Sequence, residues 1–346
     1  MAIDIENLST LPDPYPAHAA LRERGVHRLD DGRWIVARAD DVERVLADTD
    51  AAIGFATDDA AASVQSRMAR FTDGPAHADR RAVATAALQR VDPAELERRA
   101  AEIAMRRLAD GDVIDIMAVL ARAVPVTALA VALGIDESGA EEAAIELALA
   151  IAPPRGSSRG DAEAPLRRLC PNAADTLTDE EINTAALLFQ AVDATAGLIG
   201  NSIVTMARLG RPVDASVVDF VREVSRFDPA VHFTTRRAET AIDLGGSHIP
   251  AGSPIIVDLA AAGRDPARWT GADEFRPSRN APSFAFGDGI HRCPGRDHAL
   301  ALAAGVVAAI DGSGGRLATT DITYEPRFNL RVPATLNWVV GSRFDG

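Results

Sequence analysis

Three observations predict a mainly α-helical fold with a minor β region. Long Ala-rich stretches place apolar residues at helical spacing. Glycines and prolines such as Gly111, Pro125 and Pro229 punctuate that helical text. Strand-like runs are confined to three places, near 26–38, 241–259 and 327–340. The chain has 346 residues, with no internal repeat and no clean linker, so 1–346 reads as a single domain.

The elements follow in order. Pro14 and Pro16 precede a helical run over 18–24, then Arg33, Trp34, Ile35, Val36, Ala37 and Arg38 alternate as a short strand. Asp40 can cap the next helix, which carries Val42, Val45 and Leu46 on one face. From Pro75 to about 149 the text is helical, with breaks expected at Gly111 and Pro125. The stretch 152–172, containing Pro153, Pro154, Gly156 and Gly160, reads as a mobile loop. Thr178 and Glu181 form a capping-box pattern that opens one helix running to about Leu209. Its 31 residues would span roughly 46 Å, enough for a central strut. A helix over 214–227 ends before Pro229, and a hairpin turning at Gly245 and Gly246 leads to a strand over 254–259. A coil over 263–289 reaches a final helix beginning near Pro294, and 330–340 is strand-like.

The charge sum excludes some functions. With 36 basic and 50 acidic residues the net charge is −14, a poor match for a nucleic-acid backbone. No run of about 18 apolar residues is present, and the start lacks a basic region followed by an apolar one. Only Cys170 and Cys293 are available, too few for a disulfide framework. The expectation is a cytoplasmic protein without nucleic-acid or membrane partners.

The densest chemistry lies in Phe286, Gly287, Asp288, Gly289, Ile290, His291, Arg292, Cys293, Pro294, Gly295 and Arg296. The glycines permit a tight turn and close approach to a flat ligand. Pro294 suits the first position of a helix, which puts Cys293 at a helix N-terminal end where thiolate is favoured. His291, Arg292 and Arg296 add positive charge. A lone cysteine is more often a small buried hydrophobe; a metal could instead take this sulfur as an axial ligand. Zinc or thiol-hydrolase chemistry is disfavoured, because no second ligand or base lies at the needed spacing.

This segment resembles the haem-binding signature of the cytochrome P450 family, Phe-x-x-Gly-x-His/Arg-x-Cys-x-Gly, with Phe286, Gly289, His291, Cys293 and Gly295 in matching positions. The resemblance implies that Cys293 ligates the iron of haem b, in a helical prism typical of the family's soluble bacterial members. It assigns Glu223 and Arg226 to a buried pair in the core. His77 and Arg81, at i and i+4 on one helical face, together with Arg236 and His291, are implied to hold the haem propionates. Leu11 to Pro16 and Asp31 to Val36 also resemble the family, so the likeness covers nearly the whole chain.

Two departures stand out. The family's long helix carries an acid followed by a threonine over the haem; here Gln190, Ala191, Val192, Asp193 and Ala194 fall there, and Thr195 comes one residue late. A shift of one residue rotates Thr195 by about 100°. Asp193 is then the expected proton relay, with Gln190 or a bulge-rotated Thr195 assisting. Ala191, Ala194, Val231, His232 and Phe233 are expected to line the substrate side. The lid segment between Ile135 and Thr178 is short, so a more open or partner-completed pocket is expected; a large, carrier-bound or peptide-bound substrate suits it, dimerisation covering the gap would explain it equally, and a small-molecule substrate is also open. The implied activity is a monooxygenase, in the manner of secondary metabolism, drawing electrons from a ferredoxin and its NAD(P)H-dependent reductase. Peroxide-driven oxidation, oxidative coupling or rearrangement is the alternative that Ala194 motivates, and a non-catalytic haem-binding or recruitment module is the alternative of another class.

Overall fold

The structure, a computed structural model, describes residues 3–53, 60–212, 214–279 and 281–341. Helices dominate, and their apolar faces merge into one large core with two smaller clusters around the sheet. The Arg296–Gly312 helix lies along the Pro93–Leu108 helix. Gly305 makes that approach possible: a Cβ there would stand 2.2 Å from the Glu97 carbonyl oxygen. The interface is therefore closer than side-chain packing normally allows.

A five-stranded sheet has the order His27–Arg28, Trp34–Val36, Pro254–Asp258, Phe233–Ala238, Ala51–Ala52. Trp34 pairs with Ile255 in parallel, and Phe233 with Asp258 antiparallel. The expected hairpin forms from Ile242–Leu244 and Ser247–Ile249. Val113–Asp115, Asn337–Val339 and Arg316–Leu317 make a third sheet. Only three residues of the strand-like tail pair in that sheet; around them Arg331 is drawn inward, donating to Asp228 at 3.0 Å and to the Ser9 and Leu11 carbonyls.

The long strut is not one helix. Asp179–Gln190 and Asp193–Leu209 are separate, joined through Ala191 and Val192. The capping box holds as expected, Glu181 N–H donating to Thr178 Oγ1 at 3.2 Å and Thr178 N–H to Glu181 Oε2 at 2.7 Å. The break falls where Asp193 is drawn to Arg122 and Arg327, and the Val192 amide closes a tighter turn onto the Phe189 carbonyl. The 179–209 stretch is apolar enough to cross a membrane by length and composition, but 83% of its window is buried in the fold. It is a core strut.

Other expectations are corrected by tertiary contacts. The 152–172 stretch contains a helix, Glu163–Arg168, and is tied down where Arg155 donates to the Pro326 carbonyl at 2.9 Å and to Asn7 at 2.8 Å. The helix Ala39–Ala47 is capped not by Asp40 but from a distant segment, its Ala39 amide donating to Asp265 Oδ2 at 2.8 Å.

Candidate active site

The cysteine loop is two 3₁₀ turns, Phe284–Phe286 and Gly289–His291, closed by the Cys293 amide donating to the Phe286 carbonyl at 2.8 Å. Gly289 has φ +65°, and a Cβ there would meet the Leu46 carbonyl oxygen at 2.3 Å, so both conformation and space demand glycine. The following helix is Arg296–Gly312 with Gly295 at its N-cap. Pro294 thus stands just outside it, where the sequence predicts the first helical residue. The Gly295 amide donates to the Cys293 sulfur.

Cys293 is partly buried, and that burial pushes its thiol up from the ordinary value, against the pull of the Gly295 amide and of Arg70, Arg81 and Arg296. The cations that reach the sulfur differ from expectation. Burial first and His77 second lower the pKa of His291 to about 4, so His291 is neutral at pH 7; its Nε2 lies 2.9 Å from Asp73 Oδ1. Arg292 contributes its carbonyl, which accepts from Arg81 at 2.6 Å.

Two of the arginines implied to bind anions have no carboxylate partner among the described residues. Arg236 is 6% exposed and donates only to Thr234 Oγ1 at 3.2 Å and the Thr235 carbonyl at 2.8 Å. Arg81 donates only to the Arg292 carbonyl. Burial lowers the pKa of both. His77 is used differently: its Nδ1 lies 3.0 Å from the Ala69 carbonyl and its Nε2 3.2 Å from that of Ile290. It braces the cysteine loop against the Ala69–Phe71 turn, with its ring 4.1 Å from that of His291.

The facing wall is the broken strut. Gln190 and Ala194, one turn apart, are partly open, whereas Ala191 and Thr195 are buried at 8% and 3% exposure. Thr195 is thus not brought to the open face, and Ala191 belongs to the packed core. Asp193 is held by Arg122 Nε at 3.3 Å and Arg327 Nη1 at 3.0 Å. Val231 is partly open. His232 and Phe233 are fully buried and do not line an open site. His232 Nδ1 meets His18 Nε2 at 3.2 Å, and His18 Nδ1 meets Asp258 Oδ2 at 2.8 Å. Phe233 stacks on Phe328 with ring centroids 5.4 Å apart. His232, just before the strand, is buried by its contact with His18, and Phe233, the first residue of the strand, by its stack on Phe328.

Glu223 and Arg226 form a buried bidentate pair at 2.6 and 3.0 Å. Every remaining donor of Arg226 finds a carbonyl, those of Gly263, Ala272 and Glu274, while Glu223 also accepts from the Arg276 amide at 3.0 Å and from Arg279 at 3.4 Å. Sequence reasoning misses Arg279, along with Arg70, Arg122 and Arg327. Each lies in irregular or unrelated sequence with no spacing motif, and only tertiary folding brings it to the site.

Comparison with known proteins agrees with this geometry. A family sequence model described as Cytochrome P450 matches residues 217–302, the stretch holding the Glu223–Arg226 pair, Arg236 and the cysteine loop. Cytochrome P450 133B1 of Xylella fastidiosa is 34% identical over 135 residues; that match spans 36% of this chain and only about a third (34%) of the relative. Cytochrome P450 monooxygenase PikC of Streptomyces venezuelae is 30% identical over 340 residues, covering 82% of this chain and 79% of PikC. The crystal structure of CalO2 superposes with TM-score 0.81 at 24% identity, covering 98% of this chain and 99% of that one. P450BioI, solved in complex with hexadec-9Z-enoic acid ligated acyl carrier protein, superposes with TM-score 0.80 at 21% identity, over 97% and 100% of the two chains. The chain belongs to the cytochrome P450 family.

Proposed function

We propose that the chain is a haem-thiolate monooxygenase acting on a small organic substrate. The observation that carries this is the set of groups converging on Cys293. Its sulfur receives the Gly295 amide, and Arg236, buried, and Arg81, half-buried, stand beside the loop without carboxylate partners among the described residues. A group with a metal to accept the sulfur and carboxylates for the arginines fits this donor set, as haem does. Cys293 would hold the iron, and Arg81 and Arg236 the propionates, with His77 and His291 fixing the loop that presents the sulfur. When bound, the haem supplies the oxidative chemistry, and a thiolate ligand favours O–O cleavage.

The chain's own residues set what surrounds that chemistry. Glu223 and Arg226 lock the segment between the strut and the cysteine loop. Gln190, Ala194 and Val231 form the open wall toward a substrate. Asp193, the proposed proton relay, must exchange its arginine partners to serve the open side, and Gln190 is the polar group already there. Arg268, Arg292 and Arg296 line a surface recess behind the cysteine loop, with Arg268 paired to Asp40 and Glu43 and Arg296 to Asp297, so Arg292 is the cation there without a carboxylate partner among the described residues. It suits an acidic electron donor such as a ferredoxin supplied by its NAD(P)H-dependent reductase.

Hemin titration of the purified chain should end at one haem per chain. Substrate-dependent NAD(P)H consumption with ferredoxin and reductase should then accompany an oxygenated product. A second reading, oxidation driven by hydrogen peroxide, is favoured by one observation: Ala194 occupies the open face where a hydroxyl is wanted. Turnover with peroxide that exceeds turnover with the donor chain would select it.

A further inference from the structure

Arg70 lies in the Ala69–Phe71 turn, which is pinned on both sides: the Ala69 amide donates to Asn183 Oδ1 at 2.8 Å, and the Ala69 carbonyl lies 3.0 Å from His77 Nδ1. The direction of its side chain is therefore fixed by rigid backbone. Its side chain is left uncovered by the chain's own atoms, although the turn that carries it is packed into the fold. The same turn is tied to the cysteine loop through His77, whose Nε2 lies 3.2 Å from the Ile290 carbonyl, and to the Asp179–Gln190 helix through Asn183, so Arg70 stands between the two walls of the site, within reach of the charges of Cys293 and Asp193.

Among the described residues Arg70 makes no hydrogen bond and no ion pair; its nearest ring contact is the neighbouring Phe71, 5.7 Å away. Asp193 is already held by Arg122 and Arg327. An arginine stays charged, and one held between the two walls of a site favours an anionic partner there. The propionate end does not supply that anion. Arg81, assigned above to a propionate, reaches Cys293 alone, whereas Arg70 also reaches Asp193 and so stands toward the strut.

We propose that Arg70 is the substrate anchor: it takes the carboxylate of a free organic acid and holds the rest of the molecule between the cysteine loop and the Gln190–Ala194 face. This rests on the haem-thiolate reading above and names its substrate class. Arg–carboxylate pairing is bidentate and planar, so it fixes orientation as well as affinity. An acyl group tethered to a carrier has spent its carboxylate in the thioester and does not fit this anchor.

The test uses the haem-loaded protein and two matched series: 4-alkylbenzoates with their primary amides, and C8 to C14 fatty acids with theirs. Binding is read from the perturbation of the haem absorption band. At least one carboxylate series should bind ten-fold or more tighter than its amides. Arg70→Gln should abolish the preference and Arg70→Lys keep part of it, with haem content at one per chain in both variants. Equal binding of acids and amides, a preference that survives in Arg70→Gln, or no response to either series overturns the proposal. So does haem loss in Arg70→Gln with retention in Arg70→Lys, which would make Arg70 a propionate ligand. A wild-type chain that lacks a haem-thiolate spectrum fails earlier, and overturns the reading beneath.

Discussion

The segment beneath the cysteine loop and the wall facing it treat their charges in opposite ways. Around Glu223 and Arg226 every donor and acceptor has a partner, and both residues are at most 3% exposed. Across the site, Arg70 stands unpaired, Ala194 offers no polar atom, and Asp193 is turned toward Arg122 and Arg327. A closed network specifies one arrangement and holds the scaffold. An incomplete one leaves a place for groups that arrive from outside.

The largest effect should come from opening the closed side. Glu223→Ala leaves Arg226 buried and unpaired, a loss of about 3–5 kcal/mol, measurable by denaturant unfolding; a loss below about 1 kcal/mol would remove the contrast. Next, Gly289→Ala forces a side chain into positive φ against the Leu46 carbonyl. It should cost about 1–3 kcal/mol and lower haem affinity, while the same change at Gly156, where nothing lies within 4 Å, should leave haem affinity alone.

On the open side, Ala194→Thr restores a hydroxyl to the face that Gln190 shares. We expect about a ten-fold gain in product formed per peroxide released, a modest share of what a positioned proton donor contributes. If Thr195 already serves, Ala194→Thr will change nothing and Thr195→Ala will abolish coupling. The smallest effect concerns His232. Burial first, then the neighbouring His18, holds its pKa well below the ordinary value, so the folded chain excludes a proton that the unfolded chain takes up below about pH 6.5. Stability contributed by neutral His232 is present above that pH and lost as pH falls, at up to about 1.4 kcal/mol per pH unit. His232→Asn should flatten that slope in unfolding measured from pH 7 to 5.

The same contrast explains what was legible in the sequence. Thr178 with Glu181, the Gly245–Gly246 hairpin and the cysteine motif are local patterns, and each appears where its spacing says. The Glu223–Arg226 pair is also local, three residues apart on one helix. What the sequence hides depends on distant partners. Asp265 caps a helix more than two hundred residues upstream, and the strut breaks at Ala191 and Val192, beside the Asp193 that Arg122 and Arg327 hold. His232 and Phe233 read as pocket residues from their position, yet His18 and Phe328 hold them in the core. Arg70 carries no motif at all. Its meaning comes only from its place between the two walls of the site.

The most direct measurement is the carbon-monoxide difference spectrum of the reduced, haem-loaded protein beside Cys293→His. The wild type should show the red-shifted band of thiolate-ligated haem, and the variant the shorter-wavelength band of nitrogen ligation with haem still bound. Identical spectra from the two proteins would contradict the account, because the iron would then not rest on the sulfur of Cys293.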